Sequence, residues 1–211
     1  SCGAPASPPH HPAGEGEGEG EGAQNACVPA ASGPGFAISA KGDLRWKRAA
    51  AVQADLEKAL ALDDNSVCSE VGLAGTCFSL IHLVPLGGND PVKGGLYKPL
   101  AEPGVTSSLS FDRVVLSACG IRADAEFLSA VPKVVFTNID FSAPSLSHDD
   151  PAVAADIKNL YHRLLAREPT ADEVTQVARL ADDVNGAPVP PRDFAKMACY
   201  TVATTSEFLF Q

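Results

Sequence analysis

Six cysteines and five histidines are the residues of this 211-residue chain best suited to chemistry. Cys2, Cys27, Cys68, Cys77, Cys119 and Cys199 form no CxxC, no CxxCH and no close-spaced zinc pattern. That excludes covalent c-type haem and speaks against a structural zinc site. Cys68 and Cys77 bracket a short glycine-containing stretch, Ser69 to Thr76, suited to a local disulfide. Cys119 and Cys199 each follow an alanine in helix-like sequence and are suited to tying the middle of the chain to its end. The last four cysteines allow three pairings. The expected ones are Cys68–Cys77 and Cys119–Cys199, with Cys27 left over and reduced buried thiols as the alternative.

The histidines offer less. His10 and His11 lie in a Pro/Gly-rich stretch with no organised third ligand. His82 sits in the apolar run Cys77 to Pro85, where a satisfied core imidazole is the plain reading and a ligand or base role the sharper one. His148 stands beside Asp149 and Asp150, which suit a cation but equally a helix start. His162 follows Tyr161 on a helix whose opposite face is apolar, which predicts exposure. There is no GxSxG elbow, and Gly87-Gly88 and Gly94-Gly95 precede neither GKS nor GxGxxG. Asp182-Asp183-Val184-Asn185-Gly186 lacks the alternating ligands and terminal Glu of a calcium loop and reads as a helix end. Met197 reads as packing, not as a haem ligand. No catalytic residue, metal or cofactor is expected.

Charge narrows the partners. Sixteen Lys and Arg against 26 Asp and Glu give a net charge of −10, which argues against nucleic acid, since a phosphate-backbone binder needs a basic face. Residues 1–40 hold 8 of the 18 glycines and 6 of the 17 prolines, with alternating Gly and Glu from Gly14 to Gly22. Such a stretch buries no apolar area and repels itself, which predicts a disordered tether. As a flexible chain, Cys2 to Ala26 spans roughly 25–30 Å.

The elements that must position everything else follow from periodicity. Ala49, Val52, Leu56, Ala59 and Leu60 predict a helix over 43–62 capped by Asp43. Cys77 to Pro85, apolar on both faces, predicts a short buried strand or extended segment, and 86–103 a long loop. A second helix is expected from about Ser110 through Phe111, Val114, Val115, Ala118, Ile121 and Phe127, then a short extended piece at 134–136. Asp150-Pro151 opens a third helix with Ile157, Leu160, Tyr161, Leu164 and Leu165 buried. Thr170-Ala171-Asp172-Glu173 is a capping box that opens a fourth. A last helix runs through Phe194, Met197, Ala198 and Val202 to Phe210. The expected fold is mainly α and disulfide-stabilised: tether 1–40, a helix-and-loop part 41–145 and a three-helix module 146–211.

Five stretches resemble known sequences. Leu160-Tyr161-His162-Arg163-Leu164-Leu165-Ala166-Arg167-Glu168-Pro169-Thr170-Ala171-Asp172-Glu173-Val174 resembles the helix pair of the domains of unknown function found with planctomycete-type cytochromes. Ser206-Glu207-Phe208-Leu209-Phe210 is similar to the close of the same modules. Cys77 to Leu86 and Asp112 to Cys119 are similar to uncharacterised exported lipoproteins of myxobacteria, and Ser1-Cys2-Gly3 before a Pro/Gly/Glu spacer resembles a bacterial lipoprotein start. The resemblance implies export, acylation of Cys2 and a place in the periplasm or at the cell surface, anchored to the outer membrane. It carries over no catalytic residue, and the haem-bearing CxxCH domains are absent.

The expected function is therefore a non-enzymatic, lipid-anchored subunit that docks on a larger envelope complex through Tyr97 and Pro99 or through Phe208 and Phe210. The alternative is a redox-associated accessory or a cryptic hydrolase using Cys119, His82 or a metal.

Overall fold

The computed structural model describes residues 45–63, 66–70, 77–92, 95–99, 103–182 and 189–210. The expected tether, with Cys2, Cys27, His10 and His11, and the expected cap Asp43 lie outside the described residues. The described chain is helical and contains no sheet. Its only extended pairings are two isolated antiparallel bridges, Trp46 with Phe210 and Asp90 with Leu96.

Helix α1 covers Ala49–Leu60 and buries the stripe read from the sequence. It begins later than the periodicity suggests, at Arg48, and ends where Ala61 turns left-handed at φ 48°. Two arginines complete that end, where the last carbonyls of a helix have no partner of their own. Arg163 Nε donates to Ala59 O at 2.5 Å and Arg122 donates to Ala61 O at 3.2 Å.

The apolar run after Cys77 is not extended. Phe78–His82 forms a single π-helical turn. A strand would put Leu80 on the same side as Phe78 and His82, whereas the helical turn buries Phe78 and His82, four residues apart, and leaves Leu80 and Ile81 exposed. The turn closes at Gly87 (φ 76°), and Gly88 approaches Leu83 so closely that a Cβ there would lie 2.4 Å from Leu83 Cδ1.

Helix α2, Val105–Phe127, starts about a turn before its predicted beginning because Ser107 organises the entry. Its hydroxyl accepts from Gly104 N–H at 2.9 Å and donates to Pro85 O at 2.6 Å. Phe111, Val114, Val115, Ala118, Cys119 and Ala123 are buried.

Helix α3, Pro151–Leu165, opens as expected, with Asp150 Oδ1 accepting from Ala152 N–H at 2.8 Å and Pro151 in the first turn. Asp150→Ala is expected to cost about 1 kcal/mol, read as a drop in the urea midpoint at unchanged slope. Helix α4, Ala171–Ala178, carries the capping box: Thr170 Oγ1 accepts from Glu173 N–H and Glu173 Oε2 accepts from Thr170 N–H at 2.7 Å. It tightens into a 3₁₀ turn at Arg179–Ala181. Helix α5, Pro191–Ala203, and the short α6, Ser206–Leu209, finish the chain.

The described residues belong to one compact unit. Within it α2 packs most extensively on α5, and α3 lies against α1, α4 and α5. Two disulfides brace it, Cys68–Cys77 and Cys119–Cys199, the second joining α2 to α5. They place the protein in an oxidising compartment. Among the described residues no helix is long and apolar enough to cross a membrane.

Candidate functional site

The segment 66–70 and the π-helical turn meet against α2, and this junction gathers the chemistry-bearing groups. Ser69 N–H donates to Ser117 Oγ on α2 at 2.7 Å, which holds the segment along the helix. Two residues after Cys68, Glu70 bridges two elements. Its Oε1 lies 2.7 Å from His82 Nε2, and its Oε2 accepts from Arg113 of α2 at 2.5 Å. His82 is fully buried, Glu70 is mostly shielded, and Arg113 is half exposed.

With Glu70 ionised and paired to Arg113, the proton between the two groups belongs to His82 Nε2, which donates to the carboxylate. The other ring nitrogen, Nδ1, is buried with no hydrogen-bond partner among the described residues. The Cys68–Cys77 disulfide stands beside the imidazole, and ligand-capable atoms of Cys68, Glu70 and His82 all lie within 4.8 Å of one another. Three metal-ligand residue types thus converge on an imidazole with an unused nitrogen. The sequence singled out Cys68, Cys77 and His82 but gave no reason to choose Glu70, which joins them through the disulfide, the Ser69–Ser117 hydrogen bond and its pair with Arg113.

The remaining singled-out residues are dispersed. Cys119 lies in a disulfide, which removes the thiol that a nucleophilic role requires. His148 pairs with Asp182 at 2.5 Å and Asp149 at 3.3 Å, and His162 with Glu168 at 2.8 Å, all on the surface. Met197 is 37 % exposed at the edge of α5, so it is not the fully buried packing residue its spacing suggests. Asp182 is described, while Asp183, Val184, Asn185 and Gly186 lie outside the described residues.

Of the expected docking residues, Tyr97 is 78 % exposed and Pro99 is exposed. Phe208 and the half-buried Phe210 pack within the chain. Phe208 is 1 % exposed and stacks near Phe111 under the Lys47 ammonium, and Phe210 meets the Trp46 ring edge-on while Lys47 N–H donates to Leu209 O at 2.9 Å. The aromatic ending is used up closing the chain on its own first described residues.

The motif residues of the last third have a structural role as well. Arg167 reaches both Glu173 (2.6 Å) and Glu207 (2.7 Å) and lies over the Tyr161 ring. Its guanidinium pulls Glu173 down to about 2, helped by the Thr170 N–H. A single arginine so clips α3, α4 and α6 together.

An open recess of about 300 Å³ is lined by Glu126, Phe127, Lys133, Asp140 and Phe141 among others. Its buried acid, Glu126, has its oxygens filled by the protein itself: Val134, Val135 and Phe136 N–H donate to it at 2.8–2.9 Å, and Arg122 pairs with it at 2.6 Å.

No family model, no curated protein and no solved structure matches this chain.

Proposed function

We propose that this chain is a non-enzymatic accessory subunit of an extracytoplasmic assembly, held to the bacterial envelope by acylation of Cys2 and docked through the outward face of α2. One observation carries the docking. Val105 (94 % exposed), Leu109 (59 %) and Leu116 (56 %) fall within about 40° of arc on one helix face, the spacing that makes a single stripe. Leu80 and Ile81 are also exposed, on the π-helical turn that packs on α2. Monomeric proteins rarely leave large apolar groups in such a row without a use for them. The chain carries a net charge of −10, so the partner is a protein with an apolar groove rimmed by Lys and Arg.

The anchor rests on Cys2 ahead of the Gly/Pro/Glu-rich run, and on the oxidising compartment that the disulfides require.

The test uses native membranes. The wild-type chain is expected to fractionate with membranes, to carry lipid on Cys2 by mass spectrometry, and to migrate after mild solubilisation at a mass well above 21.8 kDa. Leu109→Gln/Leu116→Gln is expected to return it to its own mass with an unchanged melting midpoint. A wild-type chain already at its own mass, or an assembly indifferent to the double substitution, overturns the docking. Self-association of the purified chain through the same stripe replaces the partner by a second copy. An unmodified Cys2 overturns the anchor.

A further inference from the structure

Cys68, Glu70, Cys77 and His82 are brought together by four separate features: a disulfide, a hydrogen bond from segment 66–70 to α2, a π-helical turn and an ion pair with Arg113. We propose that reduction of Cys68–Cys77 by a dithiol converts this cluster into a binding site for one zinc ion, with the Cys68 and Cys77 thiolates, His82 and Glu70 as its ligands.

Two independent observations support it. Ligand-capable atoms of Cys68, Glu70 and His82 lie within 4.8 Å of one another, and Cys77 Sγ is bonded directly to Cys68 Sγ. Ligand atoms around a tetrahedral zinc stand about 3.5–3.8 Å apart, so side-chain rotations of about an ångström assemble them. The second observation is that His82, fully buried, already presents Nε2 to Glu70 Oε1 at 2.7 Å, so these two ligand atoms have only to part slightly to admit the ion. Two thiolates and an imidazole together select zinc or a similarly soft divalent ion over magnesium or calcium.

The disulfide form cannot hold zinc in this way, because the thiolate is the ligand and a cystine sulfur offers none. The exchange balances. The dithiol attacks one cystine sulfur, the S–S bond breaks, and two electrons pass to the protein as two thiols while the reductant closes to its own disulfide. Zinc then displaces the two thiol protons into solvent, leaving two thiolates and the Glu70 carboxylate, three negative charges, against the dication. Arg113, half exposed on the far side of Glu70, offsets the excess negative charge. The site is unlike a structural zinc knuckle in its ligand spacing, which explains why the cysteine pattern gave no hint of it.

The full chain is treated with a small dithiol, freed of it anaerobically, and titrated with Zn²⁺ against a chromogenic chelator, with an untreated sample alongside. One zinc per chain is expected in the reduced protein and none bound with comparable affinity in the oxidised one. Co²⁺ is expected to give thiolate-to-metal charge-transfer absorption and tetrahedral d–d bands only after reduction. Glu70→Gln is expected to weaken zinc about tenfold or more, and His82→Gln likewise. Cys68→Ser/Cys77→Ser, treated identically, controls for the other cysteines and is expected to lose the site. Absence of stoichiometric zinc in the reduced wild type, folded or not, overturns the proposal. So does equal binding by the oxidised chain, or full zinc content in Cys68→Ser/Cys77→Ser.

Discussion

Glu126→Ala is expected to lower stability by about 4 kcal/mol, measured as a shift of the urea midpoint with the slope unchanged. Glu126 is fully buried, yet its two oxygens receive the N–H groups of three successive residues, Val134, Val135 and Phe136, and the guanidinium of Arg122. Removing the carboxylate strands those three donors and leaves Arg122, itself 4 % exposed, without its counter-charge. Breaking one partner of a buried pair costs about 3–5 kcal/mol, and each unsatisfied backbone group adds about 1–3 before water relieves part of it. The nearby recess admits that water, so the sum is not reached. A loss below about 1 kcal/mol would show that the 132–139 backbone is held by something else.

The same residue sets a pH dependence. Burial pushes the Glu126 carboxyl up, but the three N–H groups and Arg122 outweigh it and hold the group below its ordinary 4.5. A carboxyl lowered on folding stabilises fully above its unfolded value, and that contribution is lost as the pH falls through the folded one. Asp156 runs the other way: burial raises it above 3.8, opposed by the Asn138 side chain and the N–H groups of Ile139 and Asn138, with the charge on Glu126 adding to the rise. Its contribution is present below 3.8 and lost as the pH climbs through the raised value. On acidification the two therefore oppose each other: Asp156 adds stability as it takes up its proton, while the Glu126 contribution is lost as the pH falls below about 4.5 through its lowered value. Glu126→Gln is expected to flatten this acid limb without abolishing it, since Asp124, held low by Arg192 and Lys196, works in the same direction. Asp156→Asn is expected to make the decline begin at higher pH. Melting midpoints between pH 3 and 7 for the three proteins decide it, and a Glu126→Gln profile parallel to wild type would count against the assignment.

These buried acids also show where sequence reading stops. Helices α1 to α5 were legible because each declares itself locally: an apolar stripe at helical spacing, Asp150 before Pro151, Thr170 three residues before Glu173. Both disulfides were legible as well, one from a short spacing and one from two cysteines on helical stripes. The stretch 132–139 was not. Its apolar residues suggested an extended piece, yet no strand lies beside it, and its backbone groups are satisfied by side chains far off in sequence. Glu126 takes its N–H groups at 134–136, Asp156 takes those at 138 and 139, and Asn159 donates to the carbonyls of Val134 and Val135. A glutamate in a helix reads as a solvated face until the loop that needs it is seen. The candidate site was half legible for a related reason. His82 and the two cysteines stood out by type, but the π-helical turn that buries His82, and the reach of Glu70 to it, depend on packing against α2.

The two disulfides are expected to differ in worth, and the difference is what lets one of them open. Cys119–Cys199 closes a separation of 80 residues and ties α2 to α5, whereas Cys68–Cys77 closes 9. Loop-closure entropy then assigns about 4.5 kcal/mol to the long link and about 2.7 to the short one. Cys119→Ala/Cys199→Ala is accordingly expected to lower the urea stability by about 4 kcal/mol, the larger loss, because all four sulfurs are buried and the packing change is similar at both sites. Cys68→Ala/Cys77→Ala is expected to leave a folded protein with its helical circular dichroism intact. A short link that costs more than the long one would overturn this order. It would also remove the physical basis for a redox-gated zinc site, which needs the α2–α5 clamp to hold the fold while Cys68 and Cys77 separate. With the order as stated, the long clamp keeps His82 and Glu70 at their positions against α2, so thiolates freed at the short link meet preorganised partners.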